Sequence, residues 1–220
     1  MSRVNVISEV HGKTKRDYIG RVNDNKVECR KIARKFDKDF FDGDRKFGYG
    51  GYRYIPGWWN SVVDKILELY DLPLNAKVLD IGAGKGFLLA DLLEKRTDLK
   101  ILGTEISDYA IENSHPTAKP YMVKHNAKDP FNFENQFFDL AISINSLHNL
   151  FLSELAAALP EISRVAKESL IVVESWRNEQ ELFNVECWNL TARSVHSESE
   201  WEWLFNNFKY KGNYDFIYFT

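Results

Sequence analysis

Val78-Leu79-Asp80-Ile81-Gly82-Ala83-Gly84-Lys85-Gly86-Phe87-Leu88-Leu89 runs from a short apolar segment through a glycine-rich turn into a second apolar segment with helical spacing. That order predicts strand, turn and helix. The glycines let the backbone approach a ligand closely, and the first N–H groups of the helix favour an anionic group. Single residues exclude two common uses of such a turn. A phosphate-cradling loop needs Ser or Thr after its Gly-Lys pair, and here Gly86 follows Lys85. A dinucleotide fingerprint wants Gly or Ala where this chain has Phe87, whose ring would crowd the helix–strand contact.

Downstream, short apolar runs alternate with helical patterns. Val78–Ile81, Lys100–Thr104, Tyr121–Lys124, Asp139–Ile144 and Leu170–Val173 read as strands, and Gly86–Leu93, Asp108–Ser114 and Leu152–Ala166 as helices. This spacing predicts βαβ units and a mainly parallel sheet. Ser197-Glu198-Ser199-Glu200 is a capping box opening another helix, and Tyr214–Phe219 reads as a last strand, antiparallel and at the edge. Residues 181–196 fit no single pattern. Upstream, Val63, Ile66, Leu67 and Tyr70 mark an amphipathic helix, and apolar spacing predicts another near Asp24–Phe40. Between them, Asp42–Tyr54 holds four glycines and three tyrosines, which predicts an ordered loop rather than a long helix or strand.

An Asp that ends the first strand two residues before G-x-G-x-G resembles motif I of class I S-adenosylmethionine-dependent methyltransferases. The likeness continues in order through Glu105 at the end of the second strand, Asn126-Ala127 after the third, and Phe138–Asn149 over the fourth strand and its loop. It covers roughly residues 60–174. Lys15-Arg16-Asp17-Tyr18, the Asp42–Tyr54 loop and Asp215–Phe219 are similar to a small bacterial subfamily of these enzymes. The resemblance implies a three-layer Rossmann-like fold and S-adenosyl-L-methionine as cofactor, with S-adenosyl-L-homocysteine as product. It places Asp80, Gly82, Ala83, Gly84, Gly86, Glu105, Ile106, Asn126, Ala127, Ile144 and Asn145 around the donor, Glu105 on its ribose and Asn126-Ala127 at its adenine. It implies a methyl transfer, in-line from a sulfonium, that needs positioning and no metal.

Residues outside these motifs carry open alternatives. Tyr49, with Gly50, Gly51 and Tyr52, forms either a lid over the donor and substrate or a plain packing loop. His148 is a candidate general base or a loop-capping histidine, with Asn149 beside it as a substrate ligand. Arg177 follows the fifth strand at the ligand-binding end of the sheet, to meet an acidic substrate group or to pair with Glu174 or Glu179. Trp58 and Trp59, and the Trp188, Trp201 and Trp203 group, read mostly as core.

The 220 residues suggest residues 1–59 as a basic, helical and Gly-Tyr-rich segment and 60–220 as the main domain. Residues 1–60 hold 14 Lys/Arg against 8 Asp/Glu, and the remainder 15 against 24. Such asymmetry marks either a segment with its own task or a solvated basic face. Two cysteines, Cys29 and Cys187, lie far apart without metal-ligand spacing, and neither a membrane-length apolar run nor a signal-peptide core is present. A cytoplasmic enzyme methylating a small polar metabolite is the leading expectation, with no membrane partner and the oligomeric state left open. An RNA or protein substrate is the alternative. The basic segment favours it, and Asp37, Asp39, Asp42 and Asp44, which interrupt that charge, disfavour it. A non-catalytic donor-binding module comes third.

Overall fold

In the computed structural model, which describes residues 1–12 and 14–220, strands buried on both faces set the architecture. Lys13, one of the basic residues counted above, lies outside the described residues. Four short helices come first: α1 (Ser8–His11), α2 (Tyr18–Asn23), α3 (Lys26–Ala33) and α4 (Lys38–Asp42). α5 (Asn60–Leu69) precedes the alternating part. That part runs β1 (Lys77–Ile81), α6 (Phe87–Lys95), β2 (Lys100–Glu105), α7 (Asp108–Glu112), β3 (Met122–Lys124), β4 (Phe138–Ile144), α8 (Leu152–Val165) and β5 (Ala166–Trp176). It ends with α9 (Glu179–Trp188), β6 (His196–Ser197), α10 (Glu198–Asn207) and β7 (Asn213–Ile217).

The seven strands form one sheet in the order β3-β2-β1-β4-β5-β6, with β7 also paired to β5. Successive residues of β5 alternate between two cores. Leu170 and Val172 pack with Val63, Ile66 and Leu89 on one face. Ile171 and Val173 pack with Leu155, Leu159 and Trp201 on the other. This period of two, with helices covering both faces, explains why the strands read as nearly continuous apolar runs.

The expected antiparallel edge strand is not there. β7 runs parallel to β5, from Leu170 opposite Asn213 to Glu174 opposite Ile217. The reason is the crossover: β6 lies beside Ser175 and Trp176 at the far end of β5, and α10 carries the chain back to the start of the sheet. A strand entered from that end has to run parallel. The Ser197–Glu200 capping box opens α10 as expected. The helix expected near Asp24–Phe40 is broken into α3 and α4 where Phe36 takes a positive φ of 52°.

The N-terminus closes the sheet edge. Val4 N–H donates to Tyr214 O at 2.9 Å, and Tyr214 N–H donates to Ser2 O at 3.1 Å. Buried Asp215 accepts from the amides of Val6 and Ile7 at 2.7 and 3.0 Å. Val6, Ile7 and Val10 then enter the main core. The following residues turn back over the C-terminal ends of the strands.

Candidate active site

β1 ends in Asp80-Ile81 and passes into a turn in which Gly82, Gly84 and Gly86 all have positive φ. Gly82 is required twice over, because its φ is 76° and a Cβ there would lie 2.0 Å from Ser146 Oγ. The turn's amides are used internally. Gly82 and Ala83 donate to Thr104 O at 2.8 and 3.0 Å, and Gly84 donates to Glu105 Oε2 at 2.8 Å. The turn is therefore tied to the end of β2, and these three amides are not offered to a phosphate.

The wall it builds is acidic. Glu105 also accepts at Oε1 from the amides of Ile106 and Ser107 at 2.8 and 3.0 Å. Three backbone donors thus orient a carboxylate with about four acceptor sites, leaving one in hand. Burial raises the Glu105 carboxyl, and those three amides only partly offset it. Asp80 is 3% exposed and accepts no hydrogen bond from a described residue. Burial, then the neighbouring charge of Glu105, pushes its carboxyl up to about 7. A buried carboxylate left without a partner calls for a cationic ligand.

Both carboxylates open on a cavity of about 640 Å³ over the C-terminal ends of the strands. Tyr49, Tyr52, Gly82, Ala83, Gly84, Ile106, Asn126, Ala127, Ile144, Asn145, His148 and Asn149 line it together with Asp80 and Glu105. Two expected site residues lie elsewhere. Gly86 caps α6, and a Cβ there would meet Ala118 Cβ at 2.7 Å, so its bareness serves packing. Arg177 turns away, ion-paired with Glu181 and stacked over Tyr218 at 4.1 Å. A carboxylate one helical turn on, in α9, captures it before it reaches the cavity.

The polar floor contains unmet hydrogen-bonding capacity. Asn145 Oδ1, Asn149 Oδ1 and His148 Nδ1 are buried without a partner among the described residues. Asn145 also holds a positive φ of 56°, a strained position that asparagine tolerates better than most residues. His148 is 2% exposed, and its Nε2 lies 3.9 Å from Glu174 Oε2, beyond hydrogen-bond range. Burial lowers the His148 pKa, while the Glu174 charge partly opposes that shift. Burial therefore favours the neutral ring over the protonated one.

The roof comes from the N-terminal segment, and one lysine holds it. Lys85, inside the glycine turn, is 6% exposed. Its Nζ donates to Asp42 Oδ2 at 2.5 Å and to Tyr52 O at 3.0 Å. Asp42 also accepts from Tyr109 Oη at 2.7 Å and from Tyr52 N at 3.0 Å. Burial opposes the charge, yet the bonds from Lys85 and Tyr109 hold the Asp42 carboxyl below its usual range. Above this junction, Tyr52 stacks on Phe87 at 4.8 Å and leans on Tyr49 at 4.4 Å. Tyr49 keeps 38% of its surface, yet burial pushes its hydroxyl up to about 12. Its open surface faces the cavity.

Lys85 was visible in the motif, but nothing in the sequence pairs it with a carboxylate 43 positions away. The tryptophans divide. Trp201 is core at 0% exposure, Trp203 lies outside at 61%, and Trp188 lines the cavity with Trp58 and Trp59.

Comparisons with known proteins agree with this architecture. The methyltransferase domain family matches residues 79–173. The arginine-hydroxylase NDUFAF5 of mouse mitochondria is 32% identical over 129 residues, 58% of this chain and 36% of that protein. Its human counterpart is 29% identical over 121 residues, 54% of this chain and 34% of that protein. The chain thus spans about a third of the length of these curated relatives. Among solved structures, YcgJ of Bacillus subtilis superposes with a TM-score of 0.52 at 18% identity over 66% of each chain. Geranyl diphosphate C-methyltransferase of Streptomyces coelicolor, solved with S-adenosyl-L-homocysteine, gives 0.54 at 12% identity over 67% of this chain and 59% of its own. At such identities the likeness is one of fold. Among the described residues no helix is long and apolar enough to cross a membrane. Residues 79–173 match a methyltransferase domain family, on a fold that these solved structures share.

Proposed function

We propose that the protein transfers a methyl group from S-adenosyl-L-methionine to a small polar metabolite. The observation that carries this reading is the cavity over the strand ends, where Asp80 has no partner among the described residues, Glu105 is preorganised and aromatic residues lie overhead. Three features fit the donor: an acidic wall for a cationic molecule, a spare acceptor site on Glu105 for a ribose hydroxyl, and open Asn145 for a further polar contact. When bound, S-adenosyl-L-methionine supplies an activated methyl group and is released as S-adenosyl-L-homocysteine.

The remaining work belongs to the chain. Asp80 would balance the donor's positive charge, and Glu105 would hold the ribose through charge-assisted bonds. Ile106, Asn126 and Ala127 would hold the adenine, and Ile144 and Asn145 would line the rest of the donor site. Tyr49 and Tyr52 exclude water, and Asn149 orients the acceptor. His148, neutral in its buried position, takes a proton from a hydroxyl or ammonium acceptor.

The test combines isotopically methyl-labelled donor, purified protein and a metabolite extract, with mass spectrometry identifying the labelled product. A labelled metabolite that requires the protein supports the reading. Donor binding without transfer to any metabolite would reject it. The same spectra separate a gained methyl from a gained oxygen, the outcome that the relatives' hydroxylase name would bring.

A further inference from the structure

Three guanidinium groups gather around one indole in the cavity wall. The Cζ atoms of Arg21, Arg45 and Arg16 lie 4.2, 4.7 and 5.8 Å from the Trp188 ring centroid. All four residues line the cavity that holds Asp80 and Glu105. They come from separate pieces of chain. Arg16 precedes α2, Arg21 lies in α2, Arg45 opens the 3-10 turn Arg45–Phe47, and Trp188 ends α9. α9 packs against α2 and β5, so this wall lies across the sheet from the carboxylates on β1 and β2.

These cations form no close ion pair among the described residues, although Glu174 favours the charge of Arg16 and Asp24 that of Arg21 from a distance. Arg21 is 5% exposed, and its Nη1 donates to the carbonyls of Arg45 and Lys46 at 2.8 and 3.0 Å. Arg16 donates to Thr14 O at 2.9 Å and contacts His11 Nδ1 at 3.3 Å, while Arg45 donates to Gly48 O. None of the three has a carboxylate ion pair among the described residues. Glu174 lies on the same side, but it accepts from Asn189 and faces His148. Burial lowers the Arg21 pKa to about 10, with the Arg45 charge adding to the effect. Stacking on Trp188 offsets part of that cost. An anion among the three would offset the rest, and the planar forks suit carboxylate or phosphate oxygens.

We infer that Arg16, Arg21 and Arg45, seated on Trp188, bind an anionic group of the methyl acceptor, a carboxylate or a phosphate. The cavity is then polar end to end, with carboxylates for the cationic donor and guanidiniums for the anionic acceptor. This deepens the methyltransferase reading and rests on it.

The test has two arms. In the first, inorganic pyrophosphate and citrate are titrated calorimetrically into the protein with S-adenosyl-L-homocysteine present, for the wild type, Arg21→Gln and Arg45→Gln. Saturable binding to the wild type is expected, weakened at least about tenfold in the variants with S-adenosyl-L-homocysteine affinity unchanged. Which probe binds tells phosphate from carboxylate. Arg21 ties down the 45–46 backbone, so Arg45→Gln keeps the test decisive if Arg21→Gln fails to fold. In the second arm, the metabolite extract is split on an anion exchanger before the transfer assay, with one portion phosphatase-treated. Label in the retained fraction supports the inference, and loss of that label after phosphatase assigns phosphate. Equal probe binding by wild type and variants, or label confined to the unretained fraction, overturns it. Arginine-dependent probe binding with no transfer from any fraction would uphold the anion site and reject the methyltransferase reading.

Discussion

Replacing Asp80 with Asn should move stability and donor binding in opposite directions. The Asp80 carboxyl rises from 3.8 to about 7 on folding, which corresponds to about 4 kcal/mol of unfavourable burial once the group is ionised. The sign follows from proton linkage. Between 3.8 and about 7 the folded state keeps a proton that the unfolded chain has lost, so stability falls as pH rises through that window. Above about 7 the full cost is present, and below 3.8 it vanishes. Asp80→Asn removes the charge but leaves a buried amide without a partner, an offset of about 1–3 kcal/mol. The variant should therefore be about 1–3 kcal/mol more stable than the wild type above neutrality. Its advantage should shrink on acidification. Urea unfolding followed by tryptophan fluorescence across this range measures it. Donor binding goes the other way. The wild type should bind S-adenosyl-L-methionine more tightly as pH climbs to about 7, by up to about tenfold per pH unit, and then level off. The variant should bind weakly with that rise removed. Parallel stability curves for the two proteins would refute the reasoning, because they would mean that Asp80 is ionised without cost.

Three other perturbations probe the rest of the site. Glu105→Gln keeps the size of the side chain but replaces one acceptor oxygen with an amide, so S-adenosyl-L-homocysteine affinity should fall about 10- to 100-fold by calorimetry. Unchanged affinity would remove Glu105 from the donor site. Lys85→Met leaves Asp42 without its cation, and hydrogen exchange across residues 42–54 should quicken while the β1 and β4 amides stay protected. S-adenosyl-L-homocysteine should slow exchange in that stretch of the wild type, and equal protection with and without it would reduce the stretch to packing. His148→Gln should lower kcat by about 10²–10⁴-fold for a hydroxyl or ammonium acceptor, with donor affinity nearly constant. An unchanged kcat would remove His148 as the base, the outcome expected for a carboxylate acceptor, which needs none.

What the sequence made legible was mostly local. The βαβ order, the glycine turn and the capping box at Ser197 are written in neighbouring residues, and each appears where its pattern puts it. The direction of β7 was not local. An edge strand's apolar alternation looks the same in either orientation, and only the path of α10 decides which end the chain enters. Arg177 and Gly86 went astray for a related reason. Position at a strand end or in a turn brings a residue near the ligand side, but the nearest partner decides where it points. For Arg177 that partner is Glu181, and for Gly86 it is the Ala118 and Met122 side chains.

The least legible part is also the one that completes the site. The glycine turn, Asp80 and Glu105 belong to a sheet that any parallel α/β domain can build, and such a sheet leaves its ligand face open to water. Here the first segment of the chain closes that face in two steps. Residues 2–7 are stitched to β7 by Tyr214 and Asp215, which fixes where the segment starts. Lys85 then grips Asp42, and Asp91 accepts from Tyr54 Oη at 2.5 Å, which fixes where it lands. The stretch between these anchors carries Arg16, Arg21 and Arg45, and its course sets them against Trp188. Its excess of basic residues therefore has a structural use that composition alone did not separate from a solvated face. Three of those charges point inward, at a cavity whose other wall is acidic. If, as proposed, the sheet supplies the donor end and the N-terminal segment the acceptor end, substrate choice in related chains should follow differences in that segment rather than in the sheet.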